Sequence, residues 1–345
     1  DLAGIPLLAS ERDERHPLII GGGPCACNPE PLADFFDAFL LGDGEEAVIE
    51  IAEAFRAWKR AGGARSGLLE RLAGIAGVYV PSFFAVRYGD NNRIAAVEPL
   101  RPDYGPVKRR FLAELEPAAY PTAPVVPFLK TIHDRVSVEI GRGCTRGCRF
   151  CQAGYLYRPV RERSPEKILA LVEETLRATG YDEISLLSLS TGDYGCLTPL
   201  LTELMARYAS ERIAVSLPSM RVGSLNDELV EAIRTVRKTG FTLAPEAGSE
   251  RLRRVINKGI SEEDLLRNAF EAYSHGWRLI KLYFMIGLPG EAEEDLHGIV
   301  ELARKVKMEG RRAGSGGEVN VSVSTFVPKA HTPFQWEPQD RKSVV

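Results

Sequence analysis

From Arg135 onward, short apolar runs alternate with stretches of helical period, and this alternation constrains the fold more than any other feature of the chain. Val136–Ile140, Glu183–Leu189, Ile213–Leu217, Gly240–Leu243, Leu279–Ile286 and Val319–Phe326 read as strands. Their spacing of about 30 residues leaves room for a helix between each pair, as a parallel connection requires. Ser164-Pro165-Glu166 supplies an N-cap with proline at the first helical position. Ser249-Glu250 opens a helix expected to stop at Gly259, and Ser261 opens the next. The expected fold class is α/β: a partial (β/α)6 TIM-like barrel over 135–330, with sites gathered at the C-terminal ends of the strands.

The first 60 residues have the same grammar on a smaller scale. Pro17–Ile20 reads as a strand running into Gly21-Gly22-Gly23, Pro31–Ala38 as a helix, and Phe39–Leu41 as a second strand. Glu45–Arg60 reads as an amphipathic helix with Val48, Ile51, Ala52 and Phe55 on one face. This predicts the C-terminal part of an open, Rossmann-like α/β domain over 1–60. Within 61–134, Val78–Val86 and Ile94–Val97 flank a turn at Gly89-Asp90-Asn91-Asn92 and predict a hairpin. The prolines that follow, from Pro99 to Pro127, predict an extended connector. Residues 331–345 are expected to form a C-terminal extension. The chain starts at Asp1 rather than Met, and both ends read as cut from a longer protein.

A hydrophobic content of 44% and a charged content of 26% are those of a soluble globular chain. The net charge of −3 gives no global attraction to nucleic acid, although a local basic patch would suffice for that. No apolar run reaches the roughly 18 residues of a membrane span; Ala73–Val86 comes nearest and is broken by Gly74, Gly77 and Pro81. Three of the six cysteines crowd into Cys144-Thr145-Arg146-Gly147-Cys148-Arg149-Phe150-Cys151, where disulfides are geometrically poor. Metal binding in a reducing cytoplasm is the better reading.

Thiolates suit iron–sulfur clusters and zinc. A structural zinc loop needs a fourth ligand and usually shows paired CxxC knuckles, whereas the spacing here is CxxxCxxC. With three protein ligands, a [4Fe–4S] cluster keeps one iron open, and S-adenosylmethionine can occupy it through its amino and carboxylate groups. Reduction then breaks the S–C5′ bond and leaves a 5′-deoxyadenosyl radical. Gly141, Gly143 and Gly147 let the loop fold tightly. Phe150 offers an aromatic face near the adenine, and Arg142, Arg146 and Arg149 place positive charge beside the anionic cluster.

Cys144…Cys148…Phe150-Cys151 resembles the cluster motif of the radical S-adenosylmethionine superfamily. Arg135–Arg163, Ser185–Tyr194 and Leu243–Ser249 are similar to one bacterial subfamily that joins a cobalamin-binding-like N-terminal domain to a radical barrel. The resemblance covers essentially the whole chain and implies an enzyme whose cofactors are the cluster and S-adenosylmethionine. It also implies an electron donor such as flavodoxin or ferredoxin. By the same resemblance, Ser190, Thr191, Gly192 and Asp193 take the place of a Gly-Gly-Glu segment that contacts the methionine moiety. The text departs from that segment here, so backbone carbonyls or Thr191 would make the contacts. Glu246 resembles the residue that binds the ribose; otherwise it would sit in a first helical turn, paired with Arg251 or Arg253. Gly287 and Gly290 follow the fifth strand, where the superfamily packs backbone against adenine.

Gly22 and Gly23, with Gly42–Glu46, resemble the last part of a cobalamin-binding domain. The cobalt-ligating pattern Asp-x-His-x-x-Gly is not present: Asp13-Glu14-Arg15-His16-Pro17 has the wrong spacing. Cys25 and Cys27 form a CxC pair that would touch a metal or stay as small buried thiols. Cys196 is either a radical relay, an extra ligand or a buried thiol. Arg158, Arg161 and Arg163 would line a mouth for an anionic substrate, or form a solvated loop with Glu162 and Glu166. Cobalamin-assisted methyl transfer, a methylthiotransferase-like or other RNA-modifying reaction, and a non-catalytic metal-binding module all stay open, as does the substrate, a small molecule or RNA.

Overall fold

The computed structural model describes residues 2–90, 93–216 and 241–340. The chain divides into two compact units, Asp1–Ala113 and Glu114–Val345.

In the first unit, β1 (Ile20–Gly21), β2 (Ala38–Leu40) and β3 (Val78–Tyr79) form one sheet, with β1 parallel and β3 antiparallel to β2. The helix α1 (Ala47–Ala61) packs on it, but not through the face read from the sequence. Ile51 and Phe55 do join the core, with Ala54 and Trp58, whereas Val48 is 59% exposed and Ala52 is exposed as well. The packed stripe follows the i, i+4, i+7 rule from Ala47 and lies one step around the helix. The stretch expected as a helix at Pro31–Ala38 is a 3-10 turn over Glu30–Phe35, and its last residue, Ala38, opens β2.

The helix α2 (Arg65–Ala73) and β3 complete this core through Leu68, Leu72, Val78 and Val80. The boundary expected at residue 60 therefore cuts through a packed unit. The run Val78–Val86 is not one strand, because Pro81 interrupts it. The hairpin that follows pairs β4 (Phe84–Tyr88) with β5 (Ile94–Pro99). Beneath the sheet, Asp37 is buried and accepts hydrogen bonds from Arg12, at 3.2 Å, and Arg65, at 2.8 Å.

The second unit carries the strand–helix repeat. The strands β6 (Val136–Glu139), β9 (Glu183–Leu187) and β10 (Ala214–Ser216) form a parallel sheet in the order β6-β9-β10. Between them lie the two-residue strands β7 (Gly141–Arg142) and β8 (Arg161–Glu162), paired antiparallel, and the short helix α3 (Gln152–Leu156). The helices α4 (Pro165–Thr179) and α5 (Leu197–Tyr208) cover one face of the sheet. A second parallel sheet holds β11 (Phe241–Glu246), β12 (Leu279–Ile286) and β13 (Glu318–Thr325) in chain order. It is backed by α7 (Glu262–Ser274) and α8 (Glu293–Arg312), with α6 (Glu250–Val255) in the turn after β11.

Each of the six strands expected in the second unit is found among the described residues, in a TIM-like arrangement; positions 217 and 240 of those runs lie outside them. Among the described residues the six strands form two sheets of three, not one closed barrel.

The caps read from the sequence are in place. The Ser164 hydroxyl accepts from the Lys167 amide at 3.1 Å, Ser249 from Leu252 at 3.1 Å, and Ser261 from Asp264 at 3.0 Å. Each contributes about 1 kcal/mol. The helix opened by Ser249 ends at Val255, earlier than Gly259, because Asn257 turns left-handed at φ 55°. The proline-rich segment is not free of the second unit: buried Arg163 donates to the Leu115 carbonyl, and Tyr120 to that of Ser137. Among the described residues no helix is long and apolar enough to cross a membrane.

Candidate functional site

The cysteine loop leaves β7 at the C-terminal end of the first strand of the barrel-like unit, and segments that follow three other strands contact it or the residue just after it. From the turn after β9, Asp193 forms an ion pair with Arg146, whose Nε donates at 2.8 Å. From the end of α6, the Asn257 side chain donates to the Gly147 carbonyl at 2.9 Å. The Arg149 amide donates back to the Ile256 carbonyl at 2.9 Å, and its guanidinium reaches the Val255 carbonyl. After β13, the Ala330 carbonyl accepts from the Gln152 side chain at 3.2 Å. Phe150 packs toward Ala247, Leu252, Leu288 and Phe326.

The loop depends on glycine where the chain crowds. Gly143 has φ +96°, and a side chain there would meet the Tyr157 carbonyl at 2.5 Å and that of Pro159 at 2.7 Å. Gly147 has φ +70°.

All six cysteines are thiols. Cys144, Cys148 and Cys151 are half-buried, and the Cys148 carbonyl accepts from the Cys151 amide at 3.1 Å. Arg146 sits close enough to feel the charge of Cys144 and Cys148, which, with the Asp193 hydrogen bond as the larger cause, raises its pKa. Three thiols on one glycine-rich loop beside a guanidinium fit the donor set of an anionic iron–sulfur cluster. Among the described residues, no three of His, Cys, Asp and Glu stand as the ligands of a single metal ion. A four-iron cluster takes each thiolate on a different corner and does not require them to converge on one point.

A pocket beside Cys144 is lined by Thr145, Ser188, Ser190, Asp193 and Tyr194, among others. Ser190 donates to Asp193 at 2.6 Å, so the two act as one unit. Gly192 lies between them in a 3-10 turn. Thr191 is a different matter. It is fully buried, and its hydroxyl is spent on Ser188 at 3.2 Å and the Leu186 carbonyl. Its side chain is not available to a ligand.

Glu246 is the last residue of β11, not a first-turn helix residue, and adopts φ +68°. Left-handed backbone in a non-glycine residue is held only where the surroundings impose it. Its partner is neither Arg251 nor Arg253 but Lys258, at 3.0 Å. Lys258 also stands 5.9 Å from the Phe150 ring centre. Buried Arg253 instead donates to the carbonyls of Ala247, at 2.9 Å, and Ile260, at 3.0 Å, and Arg251 pairs with Asp295.

Gly287 (φ +78°) and Gly290 (φ +75°) shape the turn after β12. The Gly287 amide donates to Glu291 at 2.8 Å, and the Gly290 carbonyl accepts from Arg251 at 2.8 Å. Burial pushes the Glu291 carboxyl pKa upward.

The arginine mouth does not form as read. Arg161 and Arg163 are buried and donate to backbone carbonyls, while Arg158 stands 4.8 Å from the Tyr155 ring centre. Cys196 is exposed at the start of α5. In the first unit, Cys25 is exposed, and burial raises the Cys27 thiol pKa. Gly22 and Gly23 have open space where a side chain would stand; Gly21 does not, since Phe39 lies 2.5 Å from that position. Lys258 and Asn257 escaped the sequence reading. The Asn257-Lys258-Gly259 turn signal was present, but the partners are distant in sequence.

Residues 1–81 match the family described as radical SAM proteins, N-terminal, and residues 138–303 match the radical SAM superfamily. An uncharacterized protein of the archaeon Methanocaldococcus jannaschii is 30% identical over 335 residues, covering 96% of this chain and 64% of that one. The likeness therefore extends beyond bacteria. The tRNA-2-methylthio-N(6)-dimethylallyladenosine synthase of Caldicellulosiruptor saccharolyticus is 30% identical over 182 residues, 50% of this chain and 38% of that one. The radical S-adenosylmethionine methyltransferase TsrM of Kitasatospora setae, solved with cobalamin and a [4Fe–4S] cluster, has a TM-score of 0.60. Its identity is 16%, and the overlay covers 91% of this chain and 56% of that one. With its three-cysteine loop at the mouth of a TIM-like unit, the chain belongs to the radical SAM superfamily.

Proposed function

We propose that Cys144, Cys148 and Cys151 hold a [4Fe–4S] cluster and that S-adenosylmethionine binds at the mouth of the second unit. The observation that carries this is that the segments following β9, β11 and β13 hydrogen-bond to the cysteine loop or to Gln152 just after it. When bound, the cluster supplies one electron that cleaves S-adenosylmethionine to methionine and a 5′-deoxyadenosyl radical.

The remaining roles fall to side chains and backbone of this chain. Arg146 offsets thiolate charge at Cys144 and Cys148. Ser190 and Asp193, beside Cys144, offer hydroxyl and carboxylate to an ammonium group. Lys258 orients the Glu246 carboxylate, leaving its second oxygen for ribose hydroxyls. The backbone of Gly287–Gly290 packs against the adenine, with Phe150 nearby.

Anaerobic reconstitution with iron and sulfide tests the reading. The expected result is a cluster chromophore and 5′-deoxyadenosine on reduction. Zinc retained in place of iron, with no deoxyadenosine, would instead support a non-catalytic metal-binding module.

Methyl transfer assisted by cobalamin on the first unit is a second reading, favoured by a fold likeness that extends over both units. The open backbone at Gly22 and Gly23 fits it. His16 does not fit as a cobalt ligand: its Nδ1 accepts from the Asp13 amide at 3.1 Å and lies 2.9 Å from that carboxylate. Binding of hydroxocobalamin with the spectrum of a histidine-ligated cobalt would contradict that assignment. An RNA-modifying reaction rests on relatives that match only half of the chain, and no second cysteine triplet stands in this sequence.

A further inference from the structure

We propose that the inner face of the β11-β12-β13 sheet binds a carboxylate of the substrate, with Lys281 as its ionic partner. This deepens the radical reading above and rests on it.

The other face of β11 and β12 is committed to the core, while Val321 and Val323 beside them on β13 stay exposed. Phe241, Leu243, Ile280, Leu282 and Phe284 are buried against α7 and α8. Side chains alternate along a strand, so Thr242, Lys281, Tyr283 and Met285 turn the other way. The register places Thr242 and Asn320 on either side of Lys281, and Ser322 beside Tyr283. That face carries a polar patch around one ammonium group, with Met285 beyond it along β12.

A lysine here is costly to explain by folding alone. Central strands of parallel sheets read as apolar runs, and lysine is depleted in them. Several other charges on the parallel strands of this unit are matched: Glu139 with Arg142 at 2.8 Å, Glu183 with Arg135 at 2.8 Å, and Glu246 with Lys258 at 3.0 Å. Lys281 is exposed and, among the described residues, forms no ion pair. The acid nearest in register on its face is Glu318, one diagonal step down β13, and it does not close a bridge to Lys281.

The neighbours select the ligand class. One ammonium, flanked by hydroxyls and an amide, matches the single charge of a carboxylate. A phosphate monoester carries about −1.5 to −2 and is met by arginine forks or open backbone amides. Neither is offered here, since β12 is hydrogen-bonded to a strand on each side. A nucleic-acid backbone asks for many cations, and this face supplies one.

Size follows from the register. Lys281 lies level with Thr242, and Glu246 level with Phe284, three residues farther on. That is about 10 Å along the strand. Tyr283, 42% exposed, and Met285 lie toward the Glu246 end on this same face. A small acid with an apolar or aromatic body would span the distance, its carboxylate on Lys281 and its far end at the level of Glu246.

Ligand-observed NMR on the purified chain tests this, with benzoate as probe and benzamide as its uncharged counterpart. Benzoate is expected to bind the wild type about tenfold more tightly than benzamide does. Lys281→Met should erase that difference, and Lys281→Arg should keep it. A wild type that does not distinguish the two probes overturns the proposal. So does benzoate binding unchanged in Lys281→Met, or inorganic phosphate displacing benzoate at lower concentration than acetate does. Iron content and 5′-deoxyadenosine formation, measured on the wild type, judge the radical reading separately: their loss would leave the benzoate result to stand by itself.

Discussion

The cysteine loop is moored on two sides by different chemistry. Toward β9 the tie is ionic, Arg146 to Asp193, with both side chains open to solvent at 46% and 29% exposure. Toward α6 the ties run to backbone carbonyls: Asn257 to Gly147, and Arg149 to Ile256 and Val255. An exposed ion pair is worth about 1 kcal/mol or less and fades with salt. The neutral hydrogen bonds from Asn257 and the Arg149 amide contribute about 1 kcal/mol each and are indifferent to salt, and the Arg149 guanidinium adds a charge-assisted one. The α6 side therefore fixes where the loop sits, and the β9 side sets the charge beside Cys144 and Cys148.

The largest expected effect belongs to the ligands themselves. Cys148→Ala should abolish both the cluster chromophore and deoxyadenosine formation, whereas Cys196→Ala, at an exposed position outside the loop, should leave iron content unchanged. Iron analysis after anaerobic reconstitution reads both, and equal iron in the two variants breaks the assignment. Next comes Gly143→Ala. It forces a side chain against two carbonyls in a left-handed residue, at a cost of about 2–4 kcal/mol. Urea unfolding of the apo chain should show that loss directly.

Much of this arrangement was legible because its signals are local. A run such as Leu279–Ile286 declares a strand by itself, and Ser164-Pro165 or Ser261 declares a helix start. The cysteine spacing pointed to a candidate site for the same reason. What escaped depends on residues far apart in sequence. Thr191 looked like a ligand, yet its hydroxyl is consumed inside the turn. Arg161 and Arg163 looked like a charged mouth, yet carbonyls of Pro159 and Glu139 draw them inward. Glu246 had Arg251, Arg253, Arg254 and Lys258 within the 12 residues after it, and only the path of α6 decides for Lys258. At Val48 and Ala52, helical period gave an apolar stripe without saying which edge of it meets the sheet.

On the neutral side of the loop, Asn257→Ala removes the hydrogen bond to Gly147 and asks alanine to hold φ 55°. Together these cost about 2 kcal/mol. The expected loss in apo-protein stability should be the same at low and high salt. It should also speed release of iron to a chelator, because the loop residue between Cys144 and Cys148 loses its fixed neighbour. A variant whose iron release equals that of the wild type would show that the α6 tie does not position the ligands.

Arg146→Gln should have the smallest effect on stability and the most informative one on charge. The ion pair is exposed, so its loss costs about 0.5 kcal/mol at low ionic strength and nothing measurable at 1 M salt. Cluster binding should survive, since glutamine leaves all three thiols and the α6 ties intact. The thiolates, however, lose a cation that stands near both Cys144 and Cys148. An anionic cluster is then harder to reduce, and its midpoint potential should fall. Lys at the same position restores charge without the fork and should recover most of the potential. A potential that does not move in Arg146→Gln would mean that both moorings are mechanical. One that falls and is rescued by lysine would separate the charge-setting side from the side that holds position.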